Sequence, residues 1–540
     1  MLFLFANSRK NKVLVTKNKV VFDTTCMTTE VHNMSKWSKW KKRAGVALAV
    51  LLTVGAAVGC GSSRGKTADE IKQGAQALGV SVHDPSIVES DGKYYIFGSH
   101  MEAAQSDDLQ SWKSFASGVN AANPLFDNLF DEDMAAFSFV GEYAEGGYAV
   151  WAPDVIYNEV MQKWVMYFST SHDYRTSSIC FATADEITGP YTYIDTLLSS
   201  GFTSLTVDNT NLKDIMGEDV NVSTYLSAAQ YNNLNYPNCI DPTVFYDKDG
   251  KMWMVYGSWS GGIWLLEVDQ ATGYLIHPGT NEETHTDKYY GQYLIGGLHN
   301  SCEGPYIHYD PETGWYYLLV SYGGLTREGG YQIRCFRSEN VDGPYVDAAG
   351  NSFGYVSDHH EYGVKMMGNY LFPSLKNAYM APGHCSMIEA SDGNMYLVYH
   401  QRFDSGTEYH EPRVHQMFVN KQGWLVAAPF AYSGESLKQE GYQSKDIGGN
   451  WYFLNHGTDI GPEIHSAELV TLSGGNIKGD SMSGTYNLED GTVYMSVESD
   501  GVLYDGVLVD MNDEAGNAVR CFMGVGSNNQ TVWGVQYLDD

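Results

Sequence analysis

Three acidic residues occupy matching places in repeated segments of this chain. Asp84 stands in His83-Asp84-Pro85-Ser86, Asp241 in Ile240-Asp241-Pro242-Thr243 and Glu303 in Glu303-Gly304-Pro305-Tyr306. Five segments can be aligned on the residue before their first apolar pair, which brings Pro85, Pro153, Pro242, Pro305 and Cys385 into one column. The preceding column holds Asp84, Ala152, Asp241, Gly304 and His384, with Glu303 one place further back. A single Asp-Pro or Glu-Gly-Pro is a turn signal whose carboxylate bonds local N–H groups. Turn chemistry does not explain three acids in register, and carboxylates gathered in one place are costly unless paired or used. A protonated acid, a carboxylate base and a third carboxylate that adjusts the acid are the parts needed to hydrolyse a glycosidic bond. Asp154 follows its Pro and so falls on the opposite strand face, which predicts a structural role. Trp151 shares the Glu303 register and is expected to line a sugar site.

The segments that carry these residues repeat one layout: a Pro or small residue, a short β-type run, a polar turn and a second, aromatic-rich strand. They are HDPSIVESDGKYYIFGSH, APDVIYNEVMQKWVMYFSTS, IDPTVFYDKDGKMWMVYGSW, EGPYIHYDPETGWYYLLVSY and GHCSMIEASDGNMYLVYHQR. Turns such as Ser90-Asp91-Gly92, Lys248-Asp249-Gly250 and Ser391-Asp392-Gly393 are hairpin signals, because Gly accepts positive φ at little cost. Third strands follow in SSICFATADEITGPY, GGIWLLEVDQATGYL and YQIRCFRSENVDGPY. Five such units without a helical period predict an all-β, five-bladed β-propeller over residues 80–432. In a propeller the starts of the innermost strands converge on the central channel, so acids far apart in sequence meet there. Surplus length near 115–150, 200–235 and 350–380 is polar and Gly/Asn-rich and reads as loops that shape a binding face. Residues 433–540 lose the repeat and carry short alternating runs, which predict a small separate C-terminal β-barrel or sandwich.

The chain has 540 residues, a formal net charge of −32, and an aromatic content of 13% that includes 39 Tyr and 12 Trp. Such acidity disfavours nucleic acid and anionic membrane surfaces and suits a neutral polymer. The basic stretch MSKWSKWKKR and the apolar AGVALAVLLTVGAAVGC read as a secretory signal over 34–60, which makes residues 1–33 an upstream extension and 61–79 a linker. Small residues before Cys60 point to lipidation of that residue, hence a secreted, surface-anchored lipoprotein whose contact with the membrane is through its lipid. Cys180, Cys239, Cys302, Cys335, Cys385 and Cys521 show no metal-type spacing and are expected as buried apolar residues.

The motifs HDPS, WAPDV, IDPTVF, EGPYI and APGHCSM, in this order, resemble glycoside hydrolase family 43 across residues 80–430. The stretch GSWSGGIWLLEVDQATG, and APGHCSM followed by GWLVAAPF, are similar to arabinan endo-1,5-α-L-arabinanases, including those with an added C-terminal β domain. The resemblance implies an inverting, monomeric enzyme acting on internal bonds of arabinan, the side chains of pectin. It casts Asp84 as general base, Glu303 as general acid and Asp241 as the residue that orients the acid and tunes its pKa. It also implies Ca²⁺ in the channel, held by His384 and mostly by water, with Cys385 standing where related arabinanases often have Asn. Trp259 and Tyr322, which end second strands, are candidate sugar-stacking residues beside Trp151. Two other readings remain open: an exo-acting α-L-arabinofuranosidase or β-xylosidase on the same fold, and a surface lipoprotein that binds glycans without cleaving them.

Overall fold

The structure, a computed structural model, describes residues 65–74 and 78–539. The extension at 1–33, the secretory segment at 34–60 and Cys60 lie outside the described residues. Five sheets, each with an antiparallel core of four strands, form the blades of a propeller; the fifth is extended by a parallel pairing of Tyr370–Leu371 with His465–Ser466. The innermost strands are Ser86–Ser90, Ala149–Asn158, Thr243–Tyr246, Glu303–Asp310 and Tyr379–Glu389. Each blade adds at least three outer strands, one more than the sequence repeat shows. In blade 1 the order is Ser86–Ser90, Lys93–Gly98, Glu102–Ser106 and Trp112–Ala116. Its first hairpin turns through Asp91 (φ 51°) and Gly92 (φ 70°), both left-handed, as a two-residue hairpin loop with matching twist requires.

Inner strands alternate little and are buried on both faces, because blades pack sheet against sheet. Apolar clusters fill the gaps between them. Phe97, Val155 and Phe168 lie between blades 1 and 2, and Tyr167, Val244 and Met254 between blades 2 and 3.

Residues from Gly449 to Tyr537 close into an eight-stranded barrel. It is a barrel of its own, as expected, and it packs directly on the propeller. One continuous cluster runs from Leu397 and Tyr399 of blade 5 to Val509, Cys521 and Val535 on the outer wall of the barrel. Part of the expected linker is also docked. Lys66 N–H donates to the Tyr537 carbonyl at 2.9 Å, Gly74 N–H donates to the Ser374 carbonyl at 3.0 Å, and Ile71 is buried in the shared cluster. This segment therefore spans barrel and propeller. All six cysteines among the described residues are buried and unpaired.

Candidate active site

The register column is a backbone feature. Asp84 (φ 53°), Ala152 (φ 39°), Asp241 (φ 57°), Gly304 (φ 57°) and Ala381 (φ 50°) all adopt the left-handed conformation, and each precedes a Pro. For a non-glycine residue that conformation costs on the order of 1–2 kcal/mol. It is held by sheet pairing on either side, with register breaks at these points in blades 2, 4 and 5. The fifth member is thus Ala381-Pro382, not His384-Cys385, and the sequence alignment of blade 5 was three residues out. The cause is a second irregularity in that strand, between Gly383 and Cys385. It places His384 in the channel, with Nδ1 3.5 Å from Asp84 Oδ1.

One layer further along the strands, hydrogen bonds tie each blade to the next. Asp154 accepts from the Ser86 hydroxyl of blade 1, and from the Val244 N–H of blade 3 at 2.6 Å. Thr243 Oγ1 donates to the Pro305 carbonyl at 2.7 Å, and the Tyr306 hydroxyl to the Met387 carbonyl at 2.7 Å. Ser386 Oγ donates to the Pro85 carbonyl at 2.7 Å and closes the ring from blade 5 to blade 1. Asp154 is therefore the structural residue its register predicted, and the ring sets the relative position of the three acid-bearing strands.

The acids sit in different environments. Asp84 Oδ2 accepts from Ser99 Oγ at 2.5 Å and lies 2.8 Å from His83 Nδ1, while His400 Nδ1 is 3.6 Å from Oδ1. Burial alone would raise the Asp84 carboxyl; His83, His384 and His400 outweigh it and hold Asp84 well below the ordinary carboxylate range. Burial pushes the His384 imidazole down and that of His400 well down, against the opposing pull of the Asp84 charge on each. Asp241 is pushed well above its usual range by burial and by the charges of Glu303 and Asp84, although Oδ2 accepts from Gly304 N–H at 3.1 Å. Glu303 is raised by burial, against hydrogen bonds from the Tyr331 hydroxyl to Oε1 at 2.8 Å and from Ser258 Oγ to Oε2 at 3.0 Å. Gly304 leaves room for His384, since a Cβ there would come within 2.8 Å of the imidazole. One carboxyl is thus biased toward its ionised form and two toward their protonated forms in the same channel, the kind of division that acid–base catalysis uses.

Trp259 is partly exposed and lies close enough to Glu303 to favour its ionised form. Trp151 is partly exposed against Tyr143. Tyr322 corrects the sequence reading. It is fully buried between Phe353, His359 and Arg334 and offers no face to a sugar. Sequence reading missed His83, Ser99, Ser258, Tyr331 and His400. His83 and Ser258 adjoin motif residues; Tyr331 and His400 lie in repeat segments that were recognised as β-structure, but nothing in their spacing marked them as site residues.

The expected calcium fits this channel only as a hydrated ion. The imidazoles of His83, His384 and His400 surround the Asp84 carboxylate, whereas Ca²⁺ takes six to eight oxygens. Water would supply nearly all of them, with His384 as the protein anchor.

The profile of Glycosyl hydrolases family 43 matches residues 78–231 and 215–425, the five blades. The chain belongs to glycosyl hydrolase family 43. A C-terminal lipocalin-like domain matches residues 429–534, the barrel region. Among family 43 relatives, the extracellular endo-α-(1→5)-L-arabinanase 2 of Bacillus subtilis is 38% identical over 84% of this chain and 92% of its own length. The extracellular endo-α-(1→5)-L-arabinanase of Thermotoga petrophila is 34% identical over 84% and 93%. A family 43 crystal structure from Bacillus licheniformis superposes with a TM-score of 0.74 at 39% identity, covering 85% of this chain and 98% of that one. As a family 43 glycoside hydrolase, this protein acts on a polysaccharide or oligosaccharide.

Proposed function

We propose that this enzyme is a secreted endo-1,5-α-L-arabinanase that cleaves internal bonds of arabinan with inversion. The observation that supports it most is that propeller and barrel together align with nearly the whole length of two relatives named for that activity. In this reading Glu303, protonated, gives its proton to the oxygen of the leaving arabinan chain. Asp84, ionised, takes a proton from a water that attacks the anomeric carbon from the opposite face. Asp241 holds the backbone beside Glu303 through Gly304 N–H, while burial and the nearby Asp84 charge raise the acid itself. Trp151 and Trp259 flank the sugar. His384 would anchor a hydrated calcium, which would add positive charge near Asp84. The extracellular naming of the relatives supports export, and Cys60 is the proposed lipid attachment point.

The test is to digest linear 1,5-α-arabinan with the mature protein and to size the products over time, with Glu303→Gln as control. Early release of mixed arabino-oligosaccharides, absent in the variant, is expected. Arabinose as the sole early product would establish exo action. No cleavage of arabinan, xylan or aryl glycosides would leave glycan binding as the function.

A further inference from the structure

The barrel's loop 456–464, between the strands Gly449–Asn455 and His465–Ser466, reaches onto blade 4 of the propeller. There it meets two buried cations. Arg334 Nη2 donates to the Thr458 carbonyl at 2.6 Å; Lys365 Nζ donates to the Asp459 carbonyl at 2.9 Å and to its Oδ1 at 3.2 Å. Gln332 Nε2 donates to the Asp459 carbonyl at 3.0 Å. Gly461 lies flat on Gly330, where a Cβ would come within 2.7–2.8 Å of the Gly461 backbone, and Gly330 itself is left-handed (φ 74°). Gly330 and Gln332 bracket Tyr331. That side chain is buried, stacks on His400 at 5.6 Å and donates its hydroxyl to Glu303.

We propose that Tyr331 is a positioning residue for Glu303, and that the barrel loop 456–464 holds it in place, so that the barrel is part of the catalytic apparatus. The inference rests on Glu303 being the proton donor. The physical argument is that the propeller side of this contact is not self-sufficient. Lys365 and Arg334 are fully buried, and a buried cation deprived of its acceptors is strongly destabilising where it stands. If the loop departs, Lys365 loses both its acceptors on Asp459 and must turn toward water, which moves the strand Gln332–Ser338 and with it Tyr331. Asp459 is the fastening point, because its Oδ1 accepts from both Lys365 and His465 Nε2, the latter at 3.0 Å.

The experiment is a double-mutant cycle in the full chain on linear arabinan, with Tyr331→Phe, Asp459→Ala and the pair. A hydroxyl that serves proton transfer acts in the transition state, so kcat should fall and KM stay nearly constant. About tenfold loss of kcat is expected for Tyr331→Phe and a several-fold loss for Asp459→Ala. The pair should be no worse than Tyr331→Phe within about twofold, because both changes break one link. Asp459→Asn, which keeps the Oδ1 acceptor, should restore most of the rate. Assays run below the melting onset of each variant, and His465→Ala, which removes only one partner of Asp459, serves as a milder probe if Asp459→Ala does not fold. Losses that multiply in the pair, or a barrel variant that lowers Tm while kcat is unchanged, would overturn the proposal. An active Glu303→Gln would instead overturn the assignment of the acid.

Discussion

The propeller axis and the barrel lumen are both enclosed by β-strands, yet they are built on opposite principles. The lumen is filled with apolar side chains such as Trp451, Phe453, Val497, Leu508 and Phe522, all almost fully buried. The axis gathers carboxylates and imidazoles, and two of the acids, Asp84 and Asp241, sit on left-handed residues that cost the backbone free energy. Closed strands therefore do not by themselves make a site. The barrel's lumen stabilises, while its outer wall and one loop meet the propeller; the axis holds unfavourable groups because the surrounding sheets leave them no alternative.

The largest expected effects separate these two regions. Asp84→Asn, Asp241→Asn and Glu303→Gln should each lower kcat/KM by about 10²–10⁴. Thermal melting should show the Asp241 variant as stable as the parent or more so, since a buried carboxyl beside two others is relieved of its charge. Trp451→Ala should do the reverse. A loss of about 3–5 kcal/mol in denaturant unfolding is expected from the lost packing and the cavity left behind, with kcat per folded molecule almost unchanged. A lumen variant that abolished turnover in folded protein would break the contrast.

The inter-blade ring offers a finer test. Burial pushes Asp154 up to about 6, above the ~3.9 of an unfolded Asp. Because the folded state holds this proton more tightly, Asp154 makes stability fall as pH rises through the window between those values. Asp154→Asn, which cannot ionise, should remove that slope, worth on the order of 2–3 kcal/mol, when unfolding is followed from pH 4 to 7. An unchanged slope would show that Asp154 is not the titrating group. The smallest effect is expected from Ser258→Ala. It removes a hydrogen bond that favours ionised Glu303, so the alkaline limb of the kcat profile should move to higher pH by a fraction of a unit.

The acids and the propeller were legible in the sequence because both repeat. Asp84-Pro85 and Asp241-Pro242 mark the same left-handed turn in blades 1 and 3, and Glu303 declared itself through Gly304-Pro305. Blade 5 misled because His384 looked like the register residue, whereas Ala381-Pro382 carries the turn and a local irregularity delivers the imidazole. Tyr322 misled for a related reason: its place at a strand end suggested a rim, but the 350–380 segment covers it with Phe353 and His359. Tyr331 and His400 were invisible because their roles come from packing across blades, which no local spacing records. The dependence of blade 4 on Asp459, more than a hundred residues downstream, is of the same kind.

The central claim is the division of labour between an ionised Asp84 and a protonated Glu303. It is tested most directly by comparing natural arabinan with an aryl arabino-oligosaccharide whose nitrophenolate leaves without a proton. Glu303→Gln should recover most of its loss on the aryl substrate, while Asp84→Asn should stay impaired on both, since water must be activated in either case. Equal recovery, or recovery by Asp84→Asn alone, would contradict the assignment.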